Sequence, residues 1–335
     1  MSPYAAAHIN PQGPGDARPT ALQIIHDESL EGKLVGKVIV ITGASSGIGL
    51  ETARALSVTG ATLFLTARDM KAAEAALAGI LVTDRISLLE MDNSSFASVR
   101  AAATTILTQS NGRVNILINN AGYLGTEDLQ LTDDGHEMHF AINHLGHFLL
   151  FQLLKPALLA SSTPNFHSRV VNVASSAHRA YGINKSDNYN FQNGGYHYMP
   201  AYSQSKTANI YMANELDRRY GQKGLHATSL HPGAIATRLS RHLGPAIVEK
   251  FTKDEKLSKI LKSPEQGAAT TVVAAVGREW EDRGGRYLED CEEAPRGEDD
   301  NDALGIGSAS HTYDQEKEER LWRDSLRIVG MSDDM

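Results

Sequence analysis

Tyr202 and Lys206, in the run Tyr202-Ser203-Gln204-Ser205-Lys206, are the residues whose types and spacing point most directly to chemistry. Four positions apart on a helix, they share one face. An ammonium beside a phenol favours the phenolate, which would draw the tyrosine pKa down from about 10 toward working pH. A phenol tuned in this way can give a proton to a carbonyl oxygen or take one from an alcohol. Many helices carry Tyr-x-x-x-Lys by chance, so the pair needs supporting groups. Ser175, in Val171-Asn172-Val173-Ala174-Ser175-Ser176, would bring a hydroxyl to a developing oxyanion at the end of a strand. Asn143, in Phe140-Ala141-Ile142-Asn143-His144-Leu145-Gly146, is polar within an otherwise apolar helix. It reads equally well as a buried amide satisfying a helix kink.

A second constellation could hold a cofactor. Residues Lys37 to Ala53 read KVIVITGASSGIGLETA: an unbroken β-branched run, a glycine-rich turn and a helical start. Such a turn gathers free N–H groups and the positive end of a helix at one point, a ready site for a pyrophosphate. Gly43 would permit the tight turn, Gly47 would let backbone approach the phosphates, and Gly49 would let the helix pack closely on the strand. Ser45, Ser46 and Ile48 complete the turn. The spacing is Gly-x-x-x-Gly-x-Gly, not the more familiar Gly-x-Gly-x-x-Gly, and a turn without ligand is the alternative. Arg68 follows the second expected strand, where the adenosine ribose would lie. A guanidinium there accommodates a 2′-phosphate, Ala67 offers no carboxylate, and Asp69 reads as a helix N-cap. This pattern predicts NADP(H); the alternative for Arg68 is an ordinary surface arginine. Asp92 and Asn93 end the third strand within reach of an adenine edge. Asn120, Ala121 and Gly122 end the fourth with small residues. All of these sit at carboxyl ends of strands, where open sheets bind ligands.

The elements that must position these groups alternate strand and helix. Strands are expected at Val38–Thr42, Ala61–Thr66, Ile86–Met91, Val114–Asn119, Arg169–Val173 and Ala227–His231, with a short last one around Tyr287 at the sheet's far edge. Helices are expected at Leu50–Leu56, Asp69–Leu77, Phe96–Leu107, Asp133–Leu154 and Ala201–Tyr220. Right-handed crossovers then give an α/β fold with a doubly wound parallel sheet. We expect one domain from residue 36 to residue 335, behind an N-terminal arm of residues 1–35. Pro3, Pro11, Pro14 and Pro19 make the first twenty residues a mobile or draped stretch. Arg238 to Lys262 reads as a mobile lid or a surface helix pair, and the acidic stretch Glu289 to Asp302 as a solvated loop. Tyr189, Phe191, Tyr196, Tyr198 and Met199 are equally cleft-lining or core residues.

Composition narrows the classes. With 32 Lys and Arg against 40 Asp and Glu, the net charge of −8 argues against nucleic acid as a partner. No apolar run approaches the roughly 18–20 residues of a membrane helix. Asn10, Gln12, Asp16 and Arg18 stand where a signal peptide would be apolar. Cys291 is the sole cysteine, which excludes an internal disulfide and a multi-cysteine metal site. His178, His197 and His231 lack metal-ligand spacing and read as structural. A soluble cytoplasmic protein is expected.

Taken together, TGASSGIG, NNAG, Asn143 in NHLG, Ser175, YSQSK and His231-Pro232-Gly233 resemble the short-chain dehydrogenase/reductase family, over roughly Lys37 to Leu239. The resemblance implies a Rossmann-like fold. It makes Tyr202 the acid/base and Lys206 the residue that binds the nicotinamide ribose and lowers the tyrosine pKa. Ser175 would hold and polarise the substrate oxygen, with Ser176 one position away as the alternative, and Asn143 would position a relay water. Pro232, Gly233, Ile235 and Thr237 would hold the nicotinamide and its carboxamide. Thr66-Ala67-Arg68-Asp69, Ser175-Ser176-Ala177-His178 and Ala201 to Asn209 are most similar to retinol-dehydrogenase-like members and fungal enzymes. Membrane-bound members carry an N-terminal apolar anchor, and residues 1–36 contain none. The implied activity is NADPH-dependent interconversion of a ketone or aldehyde with its alcohol, on a small aromatic or polyketide-like metabolite. Alternatives are a non-redox epimerase, dehydratase or cyclase, or a nucleotide-sensing binding protein. Similar proteins are often homodimers or homotetramers, an assembly the C-terminal extension could also block.

Overall fold

The computed structural model describes residues 2–125, 127–236, 239 and 254–333. Along the chain lie strands β1 (Val38–Thr42), β2 (Thr62–Ala67), β3 (Ile86–Glu90), β4 (Ile116–Asn119), β5 (Ser168–Val173), β6 (Leu225–His231), β7 (Ala234–Ile235), β8 (Leu261–Lys262), β9 (Arg286–Glu289) and β10 (Glu292–Glu293). Eight of them form one sheet in the order β10-β9-β6-β5-β4-β1-β2-β3. All five residues of β1 are buried, as a parallel strand covered on both faces requires. From β1 the chain winds outward through β2 to β3, then crosses to β4 on the other side of β1. That reversal opens a crevice at the carboxyl ends of β1 and β4.

Helices cover both faces. One apolar layer packs Phe96–Gln109, Gly146–Ser161 and Tyr198–Tyr220 against the sheet, with Gln315–Ile328 packed on Tyr198–Tyr220. The other packs Gly47–Ser57, Met70–Leu77, Ala269–Val276 and Ala21–Asp27. This last helix stands inside the stretch expected to be an arm. Thr20 caps it, accepting from the N–H of Gln23, and Ile24 and Ile25 are completely buried. Upstream, residues 2–20 lie draped along the body, pinned by Arg18, whose guanidinium donates to the carbonyls of Ile260 and Leu261. Among the described residues no helix is long and apolar enough to cross a membrane.

Three expectations need correction. The helix expected at Asp133–Leu154 starts instead at Met138, where the Glu137 carboxylate accepts from the N–H groups of His139 and Phe140. It passes through a π-helical segment, Ala141–Leu145, and continues as Gly146–Ser161 with Pro156 inside. Leu149, Leu150, Phe151, Leu154, Ala157 and Leu158 are all buried, and that packing outweighs the ~3 kcal/mol an internal proline costs. The strand holding Tyr287 is not the sheet's edge: β10 pairs antiparallel outside it, through a turn with positive φ at Asp290 and Cys291. Nor is the acidic stretch merely solvated. Glu289 is buried, and the residues beyond it wrap the Arg179 side chain.

Candidate active site

The crevice is an open cleft with about 1660 Å³ of empty space, its mouth included. Its floor is the turn from Gly43 to Gly49. Gly43 has φ +68°, and a Cβ there would stand 2.8 Å from Ala121 Cα. Gly47, with φ +57°, opens the helix Gly47–Ser57. At Gly49 a Cβ would lie 2.4 Å from both Asn120 Nδ2 and Gly43 O. So Gly49 makes room for an amide from β4 and for the turn's own carbonyl, rather than for helix-on-strand packing. Asn120 Nδ2 donates to Thr42 O (2.8 Å) and Gly43 O (3.2 Å), fastening β4 to β1. Thr42 Oγ1 accepts from the N–H groups of Asn120 and Ala121 and donates to His147 Nε2. Ser46 is an extended N-cap without a side-chain cap bond, which leaves the first-turn N–H groups without that partner where Ser45, Ser46, Gly47, Ile48 and Gly49 line the cleft.

At one end of the cleft lies Arg68, exposed, with no ion-pair or hydrogen-bond partner among the described residues. Asp69 faces the cleft too, but its carboxylate caps the next helix by accepting from Ala72 N–H at 3.0 Å. Asp92 and Asn93 line the same end. Asp92 Oδ1 accepts from the N–H and hydroxyl of Ser94, and Asn93 Nδ2 donates to Ile142 O.

At the other end Ser175, Tyr202 and Lys206 all line the wall, joined by Ala121 and Gly122. Ser175 leaves β5 in an extended conformation and its Oγ accepts from Ala177 N–H at 3.2 Å. Ser176 is buried and does not reach the cleft. Lys206 Nζ donates to Val173 O at 2.9 Å and stands 5.6 Å from the centre of the Tyr202 ring. Burial lowers the Lys206 pKa to about 7. Burial pushes the Tyr202 phenol up to about 12, against a hydrogen bond with Ser175 that works the other way. Desolvation acts on both groups and opposes charge on each, against the depression that the lysine would bring to the tyrosine. Asn143 stands behind the wall within the π-helical segment. Its Oδ1 accepts from Tyr123 N–H (2.7 Å), its Nδ2 donates to Tyr123 O and Ser205 Oγ, and its carbonyl accepts from His147 Nδ1.

Pro232, Gly233 and Ile235 line the cleft beside Lys206; Thr237 lies outside the described residues, as does most of the expected lid. Sequence reasoning missed several lining residues, among them Tyr123, Leu124, Ile142 and Leu239, and took His231 as structural although it faces the cleft. Adjacency to Asn120-Ala121-Gly122 was the available signal for the first two. The aromatic residues before Tyr202 divide: Tyr189 stacks on Phe140 in the core, while Tyr198 and Met199 pack beside Tyr202. His139 meets the Tyr202 ring edge-on at 6.2 Å, its Nδ1 donating to buried Glu137 and its Nε2 accepting from Gly125 N–H.

Comparison with known proteins agrees with this geometry. The family model described as short chain dehydrogenase matches residues 37–247. A short-chain dehydrogenase/reductase, prx1, of Penicillium roqueforti is 47% identical over 98% of this chain and 96% of its own. Retinol dehydrogenase 13 of Homo sapiens is 36% identical over 88% of this chain and 85% of its own. Among solved structures, the RhlG/NADP active-site complex of Pseudomonas aeruginosa is 25% identical with a TM-score of 0.61, covering 76% of this chain and 94% of that one. The motifs, the winding of the sheet and these relatives lead to one assignment: the chain belongs to the short-chain dehydrogenase/reductase family, among its retinol-dehydrogenase-like and fungal members.

Proposed function

We propose that the cleft binds NADP(H) and that the protein interconverts a ketone or aldehyde with its alcohol. One observation carries the reading: Ser175, Tyr202 and Lys206 share a wall of the cleft whose floor is the glycine turn and whose far end holds the Arg68 guanidinium, unpaired among the described residues. The residues present fit a dinucleotide. Gly43 and Gly49 sit where any Cβ would collide, the first turn of the helix Gly47–Ser57 lines the space, and the exposed Arg68 could meet a 2′-phosphate. Bound NADPH would supply the hydride that reduces a carbonyl carbon.

The chain's own residues do the rest. Ser175 and Tyr202 donate to the carbonyl oxygen, and Tyr202 gives up its proton as that oxygen gains charge. Lys206, anchored on Val173 O, keeps its remaining N–H groups for ribose hydroxyls. Asn143 holds the Tyr123 strand-end against this wall, and the relay water the resemblance implies would run past it. The apolar surroundings of Tyr202 support a small aromatic or polyketide-like carbonyl, which the reading assigns to secondary metabolism. The reading extends to a cytoplasmic enzyme, assembled as dimers or tetramers like similar proteins.

The test is a carbonyl panel followed by NADPH absorbance, with NADH in parallel. Oxidation of one NADPH per carbonyl consumed is the expected result, and Tyr202→Phe should abolish turnover while NADPH still binds. Near-normal activity of Tyr202→Phe would remove the proposed acid. Product formed without net NADPH consumption would indicate an epimerase, dehydratase or cyclase; binding without turnover across the panel would indicate a sensor.

A further inference from the structure

Residues 296–312 bring the chain back to the apolar cluster around Tyr202, and two side chains that follow Ser175 fasten it there. Arg179 is 3% exposed, and all five of its donor hydrogens have partners in this segment. Nε donates to Asp302 O (3.1 Å), Nη1 to the carbonyls of Ile306 (2.8 Å) and Gly307 (3.4 Å), and Nη2 to Glu298 O (2.8 Å) and Asp300 Oδ1 (2.7 Å). The fit is close enough to dictate glycine. A Cβ at Gly297 would stand 2.2 Å from Nη1, and one at Gly305 2.7 Å from Nε. The neighbouring His178 donates from Nδ1 to Ser175 O (2.8 Å) and accepts at Nε2 from Thr312 Oγ1 (3.1 Å). The serine turn and the C-terminal loop are thus one braced unit. At its tip Ala303 packs on the apolar cluster formed by Leu124, Ala177 and Tyr202, as Tyr198, Met199 and Leu239 do.

We propose that Arg179 is a positioning residue that holds the loop 297–307 as the substrate-side wall of the cleft, with Ala303 limiting the bulk an uncharged carbonyl compound can present beside Tyr202. This rests on the reading of Tyr202 as the proton donor. Of the loop's acidic side chains Asp300 joins the grip on the guanidinium, and the loop's carbonyls, which composition does not reveal, supply its other partners. A small residue at 303 leaves room next to the phenol, and a larger one would fill it.

The experiment uses the NADP⁺-loaded protein and two probes of different bulk, acetophenone and 2-acetylnaphthalene, with binding measured by calorimetry and turnover by NADPH absorbance. Ala303→Trp should raise the dissociation constant of the naphthyl ketone about tenfold or more, while acetophenone shifts by less than about twofold and NADP⁺ affinity holds. Arg179→Ala, which frees the loop, should bring the affinities of the two ketones together at unchanged NADP⁺ affinity, and Arg179→Lys should restore part of the discrimination. Should Arg179→Ala fail to fold, Ala303→Trp decides the matter. The wall is overturned if Ala303→Trp leaves both ketones unaffected or weakens both equally, or if the wild-type protein binds neither. Size-selective binding without NADPH oxidation would instead refute the reductase reading and leave the wall standing.

Discussion

Replacing Gly49 with alanine tests whether the floor of the cleft is built as described. The added Cβ would sit 2.4 Å from Asn120 Nδ2 and from Gly43 O, against an ordinary contact of about 3.5–4 Å. One or both neighbours must yield by about 1 Å. If the Asn120 amide yields, its bonds to Thr42 O and Gly43 O are lost, at ~1 kcal/mol each. Overpacking a buried position adds ~1–3 kcal/mol, and alanine's better helix propensity returns ~1 kcal/mol. The net is a loss of about 2–4 kcal/mol, read from urea unfolding as a lower midpoint at constant slope. If the carbonyl yields, the turn moves, and NADPH affinity falls as well. Gly122→Ala is the control. Its Cβ would meet nothing nearer than Leu239 Cδ1 at 3.7 Å and Lys206 Nζ at 3.8 Å, so stability should change by less than ~0.5 kcal/mol. A Gly49→Ala protein as stable as wild type, with unchanged NADPH affinity, would refute the account of this turn.

Arg68→Ala should raise the KM for NADPH by roughly 10- to 100-fold, the worth of one charge-assisted phosphate contact of ~1.5–3 kcal/mol, while NADH kinetics stay within about twofold; equal effects on both coenzymes would remove Arg68 from the 2′-phosphate site. Burial holds the pKa values of His144, His147 and His178 at about 3, 4 and 3, well below the unfolded value near 6.5. Between pH 6.5 and about 4 the unfolded chain takes up protons that the folded chain refuses. Stability is therefore full above pH 6.5 and falls on acidification, by at most ~1.4 kcal/mol per pH unit for each histidine. Urea midpoints at pH 7 and pH 5 measure that slope, and His144→Gln should flatten it; an unchanged slope would mean that His144 is not held neutral.

How much of this was legible depended on distance along the chain. The strand, turn and helix around Gly43 were plain, because an unbroken β-branched run followed by glycines has few other readings. The reason for Gly49 was not, since the amide it accommodates arrives from β4 and enters the turn only after folding. Strand boundaries agree to within a residue or two, whereas the helix after Gly135 starts late because a glutamate, Glu137, caps it instead of one of the usual cap residues. Thr20 ahead of Ile24 and Ile25 was a readable cap for the missed helix Ala21–Asp27, hidden by the proline-rich stretch before it. Identities at the site were local information; protonation was not. The Tyr202 and Lys206 spacing was visible in five letters, but the burial that governs their charges is supplied by the whole fold.

That burial gives the proposed chemistry a direction. With a pKa of about 12, the Tyr202 phenol of the folded chain is ionised to roughly one part in 10⁵ at pH 7. It is then a proton donor as it stands, which is what a carbonyl oxygen gaining negative charge requires. Alcohol oxidation asks the reverse: the phenol must first lose its proton, and Lys206, held near neutrality by its own burial, offers a weakened positive charge to favour that loss. Carbonyl reduction should accordingly be nearly independent of pH from 6 to 8, while oxidation of the same alcohol should climb with pH across that range by up to about tenfold per unit. Rates measured in both directions on one substrate pair, after correction for the proton in the overall equilibrium, decide the point. An oxidation rate flat in pH would mean that the bound state has already brought the phenol down to working pH, and that desolvation by the protein does not control this acid.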